Sequence, residues 1–236
     1  MSRSVGLDQR LLLVAGQVRP NAVFADVGCD HGRLAVYLVQ QRQARAGFAC
    51  DIRPQPLEKA RQLVEKTGLS SKITIVLTDG LQGLESKGIT DVTIAGIGGE
   101  VIGDIIEKAS FLQKPGVRLV LQPMSREHLL RQTLYRLGFF IVEEQAVHAK
   151  KFLYTVITAE YGGTVEEISP LFAYTGLLPR QNTEESRCKL ERTAAMAAQA
   201  GKGLLAQGKR AAGQELLDLA AQIKRLAGQE ALAEGE

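Results

Sequence analysis

The chain has 236 residues, 45% apolar and 23% charged, the composition of an ordinary soluble globular protein with enough length for a sizeable core. That size suits one large domain, or one domain with an appendage. The formal charge of +3 permits an anionic partner without demanding one; only 9 of the 29 Lys and Arg, against 10 of the 26 Asp and Glu, fall in residues 164–236, so the positive balance lies in the first 163.

The opening "MSRSVGLDQRLLLVAG" reads as an amphipathic helix rather than a signal peptide, because an acid precedes its short apolar centre and no cleavage-like tail follows. From residue 22, short β-branched runs alternate with helical ones. "AVFADVG" is strand one and "RLAVYLVQQ" the helix after it. "RAGFACDI" is strand two, and "PQPLEKARQLVEKTGL" is a helix with Pro54 and Pro56 at its start and Gly68 at its end. "KITIVLTDG" is strand three, "DVTIAGI" strand four and "GGEVIGDIIEKA" a helix. "GVRLVLQP" is strand five, and "SREHLLRQTLYRLG" a helix that Ser125 would cap and Gly138 would end. These β-α-β repeats predict a parallel sheet covered by helices on both faces. "FFIVEEQAVHAKKFLYTVITAEY" is two strands joined around Ala149–Lys151, a hairpin whose last strand runs antiparallel to the rest.

Residues 160–182 are rich in Gly, Pro and polar residues and read as a linker. After Thr183 the chain turns rich in Ala, Leu, Glu, Lys and Gln. Leu190, Ala194, Ala197, Gly201 and Leu204 keep a helical spacing, as do Leu216, Leu219, Ile223 and Leu226. Two helices folding back near Gly208 are expected, with one long helix as the alternative. The predicted division is residues 1–163 as the ligand-binding domain and 164–236 as linker and helical hairpin.

Cys29, Cys50 and Cys188 are scattered, with no spacing for zinc or a disulfide framework, and no apolar run approaches the ~18 residues that span a bilayer. A cytoplasmic protein without membrane or metal partners is expected.

The stretch Ala25–Leu34, "ADVGCDHGRL", places a glycine turn between strand one and its helix. A dinucleotide site has glycine where Asp30 stands, and an acid there repels a pyrophosphate by several kcal/mol at ~4 Å when partly buried. A cationic ligand reverses that sign. S-adenosyl-L-methionine carries a sulfonium and an α-ammonium and no phosphate; Asp26 or Asp30 can accept from the ammonium while the glycines leave the backbone bare. Asp30 as a plain helix cap is the competing reading. Asp51 ends strand two, where an acid can bind ribose hydroxyls. Asp79-Gly80 ends strand three, where a carboxylate can accept from an adenine amino group. The glycines of "AGIGGE", Ala95–Glu100, leave a surface on which a flat base could lie, and Gln122 brings an amide to the same rim.

Taken in order, "DVGCDHG", "DIRPQPLEKA", "TDGL", "IAGIGGE", "LQP" and "KFLYTVI" resemble the bacterial tRNA (adenine-22-N1)-methyltransferases over roughly residues 7–160. The resemblance implies a Rossmann-like class I methyltransferase, an α/β fold with a mostly parallel seven-stranded sheet, an antiparallel last strand and a coiled-coil-like C-terminal hairpin. It implies S-adenosyl-L-methionine as cofactor and tRNA as partner. Matched residue by residue, Asp26, Gly28, Asp30, His31 and Gly32 line the methionine end, Asp51 and Ile52 the ribose, Asp79 and Gly80 the adenine, with Ala95 also bordering the cofactor, and Gly96–Gly99 the target base. Arg33 and Met124 stand where the family often has Tyr and Asn. Methylation at N1 yields a cationic base, so an acceptor nearby is wanted, and the Gly96 carbonyl and the Gln122 amide oxygen are the candidates. Arg33, Arg53, Arg126 and Arg131 on the rim, with Lys202, Lys209, Arg210, Lys224 and Arg225 on the hairpin, are candidate phosphate contacts. The hairpin alternatively serves weak dimerisation. Two other readings stay open at this point: a methyltransferase acting on another RNA, a protein or a small molecule, and a catalytically silent tRNA-binding relative.

Overall fold

The computed structural model describes residues 5–228. The first four residues of the opening segment and the acidic end after 228 lie outside them.

The seven strands are β1 (Ala22–Val27), β2 (Ala44–Asp51), β3 (Ile73–Leu77), β4 (Asp91–Ile97), β5 (Arg118–Pro123), β6 (Phe139–Ala149) and β7 (Phe152–Tyr161). They form one sheet in the order β3-β2-β1-β4-β5-β7-β6. Strands β1 to β5 are parallel, while β7 runs antiparallel to both β5 and β6. The order runs outward in opposite directions from β1 and β4. A crevice therefore opens beyond their carboxyl ends, where sheets of this kind take ligands.

Strand alternation builds a core on each face. In β1, Phe24 packs with Val14 of α1 (Gln9–Gln17), Leu38 of α2 (Arg33–Gln40) and Leu57 of α3 (Pro54–Lys66). Its neighbours Ala25 and Val27 face the other way, toward Ile102 of α4 (Gly99–Lys108) and Leu130 of α5 (Glu127–Arg136). Asp8 caps α1 by accepting from the Leu11 amide at 2.9 Å. Gly47 pairs with Phe24 across β1 and β2, and a Cβ at Gly47 would lie 2.2 Å from Phe24 Cε1. Gly47→Val should therefore destabilise the fold by about 1–3 kcal/mol or more, lowering the melting temperature by about 2–4 °C per kcal/mol. A thermal scan showing no change would refute this packing.

Two local expectations are corrected. Ser125 does not cap α5: Arg126 holds that position in a left-handed conformation, φ 57°, without a side-chain cap. The chain needs that bend because the Ser125 carbonyl turns back to accept from the Gly99 amide at 2.8 Å. Gly99 in turn admits this loop, since a Cβ there would sit 2.6 Å from the Arg126 carbonyl oxygen.

The segment predicted as a linker is docked. Ser169 caps α6 (Pro170–Thr175), and a 3-10 turn follows over Leu178–Arg180. The anchor is Arg131 on α5, fully buried with Glu144 on β6. Arg131 Nε and Nη2 donate to Glu144 Oε1 at 3.1 and 2.5 Å, and Nη1 donates to the Ala173 carbonyl at 2.6 Å. Glu144 Oε2 accepts from the Leu177 amide at 2.9 Å. Arg131 is thus removed from the candidate phosphate contacts: a guanidinium with no exposure cannot meet a phosphate.

Helices α7 (Glu184–Ala206) and α8 (Arg210–Gly228) form the expected hairpin, with Gly208 at the bend, φ +79°. Gly201 and Gly213 let them approach: a Cβ on Gly201 would meet the Gly213 carbonyl oxygen at 2.8 Å. Lys189 on α7 reaches Glu127 on α5 at 2.6 Å, which ties the hairpin to the sheet domain.

Candidate active site

Four strand ends meet around a cleft of about 670 Å³. Near its carboxyl end each strand's apolar run gives way to an acid or a glycine, which brings three separate carboxylates to one rim.

At the end of β1, Asp26 is 3% exposed and accepts from Thr93 Oγ1 at 2.9 Å. Burial pushes its carboxyl up to about 7; the Thr93 bond opposes this and nearby Asp51 adds to it. The chain then turns through Gly28, φ +71°, where a Cβ would meet no protein atom within 4 Å, so bare backbone borders the cleft. Asp30 is two-thirds exposed, with its Oδ1 3.6 Å from His31 Nε2. Helix α2 starts after Gly32 with no side-chain cap, so the capping reading of Asp30 fails. Gly32 is not part of the cleft lining. It lets α2 approach α3, since a Cβ there would come within 2.9 Å of Ala60 Cβ. Burial, joined by the charges of Asp26 and Asp51, raises the thiols of Cys29 and Cys50, the latter to about 12, which leaves both unreactive.

At the end of β2, Asp51 is 4% exposed. Its Oδ1 accepts from the Arg53 amide at 2.9 Å, whereas Oδ2 is buried without any hydrogen-bond partner. Beside it Ile52 is 62% exposed. Asp79 and Gly80 follow β3 and complete this side. Across the cleft, Gly96 is the extra residue of a bulge between β4 and β5, at φ +84°.

Of the residues assigned to the cofactor and the two candidate acceptors, every one lines the cleft except Gly32 and Gln122. Gln122 has no exposure, and its Oε1 already accepts from the Gly96 amide at 3.1 Å and from Arg10 Nη1 at 2.5 Å. Its Nε2 donates to the Pro123 carbonyl at 2.9 Å. The predicted free acceptor is therefore spent holding the bulge. Gly98 and Gly99 also stand off the lining, while Arg10, Val101 and Ile105 belong to it. Arg10 has no sequence signal beyond being a cation on an amphipathic helix.

A family model described as a methyltransferase domain matches residues 7–157. A Bacillus subtilis tRNA (adenine(22)-N(1))-methyltransferase is 34% identical over 156 residues, so the aligned part spans 66% of this chain and 66% of that relative. The crystal structure of a Streptococcus pneumoniae protein, a candidate tRNA (m1A22) methyltransferase, superposes with TM-score 0.83 at 30% identity, covering 94% of this chain and 100% of that one. The chain belongs to the tRNA (adenine-22-N1)-methyltransferase family. The same streptococcal protein is also solved in complex with S-adenosyl-L-methionine, at 28% identity and TM-score 0.81 over 93% of this chain and 100% of that one.

For a methyltransferase of this family, the cleft residues fit that cofactor. A buried carboxylate oxygen without a partner is strongly unfavourable unless a ligand supplies donors, and Asp51 Oδ2 is such an atom. The Gly28 backbone leaves room for a close approach, and the acids of the turn suit an ammonium rather than a phosphate.

Proposed function

We propose that the protein transfers the methyl group of S-adenosyl-L-methionine to N1 of adenosine 22 of tRNA. The observation that carries this reading is the unpartnered Asp51 Oδ2 on a rim of strand-end carboxylates. In it, Asp51 accepts from the ribose hydroxyls and Ile52 packs beside them, Asp79 and Gly80 border the adenine, and Asp26, Gly28, Asp30 and His31 hold the methionine end. Ala95 borders the cofactor, and Gly96 faces the target base.

The bound cofactor supplies an electrophilic methyl group on its sulfonium. N1 of adenine offers an in-plane lone pair, so no side chain need remove a proton, and the protein's task is to align the base. Orientation of that kind is worth about 7–11 kcal/mol. The Gly96 carbonyl is the acceptor that favours the developing positive charge on the base. Gln122 acts through Gly96, by fixing the amide of the bulge.

Residues 1–163 carry the cofactor in this reading, and residues 164–236 extend the RNA contact. Arg53 and Arg126 are 67% and 58% exposed, and Arg33 is exposed at the cleft mouth. Lys202, Lys209, Arg210, Lys224 and Arg225 are all exposed on the hairpin. The protein works as a monomer or a weak homodimer through the hairpin. Among the described residues no helix is long and apolar enough to cross a membrane.

Asp26 gives a pH dependence. Its carboxyl titrates near 7 rather than 3.8. A bound ammonium favours the ionised form, so cofactor affinity should rise with pH up to about 7 and level off above it, by at most about tenfold per pH unit. Calorimetry between about pH 5.5 and 8.5 reads this, and Asp26→Asn should flatten the profile. A profile that falls with pH would contradict the placement of the ammonium. For the target itself, transcripts carrying A22 or G22 should separate cleanly under labelled cofactor. Equal labelling of both would defeat the assignment to that nucleotide.

A further inference from the structure

At the Gly96 end of the cleft, two neighbouring rings are flanked by a cation on each side. Arg10 lines the cleft and bonds Gln122, and its guanidinium carbon stands 5.6 Å from the centroid of the Tyr154 ring. The Tyr154 and Phe152 centroids are 6.2 Å apart, with the rings tilted by 50°. Lys151 Nζ lies 5.3 Å from the Phe152 centroid. The strip is open to solvent: Phe152 is 52% exposed, Lys151 is exposed and Tyr154 is half-buried.

The sheet dictates this placement. Phe152 and Tyr154 are two apart on β7 and so share a face, while Leu153 between them is buried on the other. Strand β7 runs antiparallel to β5, so its first residues lie at the carboxyl end of β5, on the rim where the cleft opens. Core packing does not account for a half-exposed phenylalanine flanked by a lysine. Adjacent rings bordered by cations suit single-stranded nucleic acid, since bases stack on the rings and phosphates meet the cations. The target base demands such a strand. N1 of a paired adenine is occupied, so the base must leave its helix, and its neighbours lose their stacking partners.

We propose that Arg10, Tyr154, Phe152 and Lys151 form a stacking strip that receives the unpaired nucleotides next to the target adenosine. This rests on the tRNA reading above and adds the site by which the flanking strand is held. Phe152→Ala and Tyr154→Ala should each raise KM for tRNA roughly five- to a hundredfold, the range that loss of one stacked base implies, with cofactor affinity by calorimetry unchanged. Tyr154→Phe should retain the wild-type KM and Phe152→Leu should not, because a ring rather than bulk is needed. An unchanged KM in both alanine variants, or full recovery with leucine, overturns the strip. Should Tyr154→Ala lose cofactor binding through misfolding, the more exposed Phe152 decides alone.

The chain contains no tryptophan, so Phe152→Trp introduces a single reporter. Titrated with a short single-stranded adenine-containing RNA, its emission should be quenched even if turnover is absent. Failure of the tRNA reading, with no methylation of any tRNA by the wild type, is thereby distinguishable from failure of the strip, with turnover but no quenching. Emission that ignores RNA and shifts only with protein concentration marks a self-association face and overturns the proposal.

Discussion

Arg131→Met should lower stability by about 3–5 kcal/mol, the largest effect expected of any single substitution discussed. The change leaves Glu144 buried with no cation and removes the donor to the Ala173 carbonyl. For a chain of this size the melting temperature should fall by about 2–4 °C per kcal/mol. Adding Glu144→Leu to Arg131→Met should restore part of that loss, since an apolar pair replaces an unpaired charge. Recovery stays incomplete because the Leu177 amide also loses its acceptor. A single variant that melts like the wild type would show that the pair does not hold α6 in place. The same network governs truncation. A chain ending at 163 strips Arg131 and Glu144 of their partners at Ala173 and Leu177, whereas one ending at 182 keeps them.

Asp51→Ala should weaken cofactor binding by at least about tenfold, since each charge-assisted hydrogen bond is worth about 1.5–3 kcal/mol. Asp51 Oδ2 has no partner in the protein, so its loss leaves no internal bond broken on that side. Asp51→Asn separates charge from shape and should fall between the alanine variant and the wild type. Calorimetry on folded protein reads both. Equal affinity in all three would remove Asp51 from the cofactor site and weaken the assignments made with it. A dinucleotide should not bind the wild type measurably, because Asp30 faces the place of a pyrophosphate.

The strand-end acids were legible in the sequence for a simple reason. Asp26, Asp51 and Asp79 each follow a short apolar run, and repeated β-α-β units bring the carboxyl ends of such runs together. The antiparallel ending was legible too, because only two residues separate the runs of β6 and β7. Arg131 was not legible. In sequence it is one more cation on an amphipathic helix, and its partner Glu144 lies 13 residues away on a different element. The docked stretch around α6 looks like a linker because glycine and proline report local conformation and say nothing about burial. Gln122 was placed on the correct strand end but given the wrong task. The bulge at Gly96 brings a backbone amide onto its oxygen, and no local pattern announces a bulge. The stacking strip was hidden differently: "KFLYTVI" marks a strand, and the meeting of Tyr154 with Arg10 needs a contact between opposite ends of the domain.

The most direct test of methyl transfer to N1 of tRNA adenosine is product identity. The wild-type protein is incubated with labelled S-adenosyl-L-methionine and unmodified bulk tRNA, the RNA is digested to nucleosides, and the labelled species is identified. N1-methyladenosine is the expected labelled nucleoside. Label in a different nucleoside, or none in RNA while the cofactor binds, would contradict it.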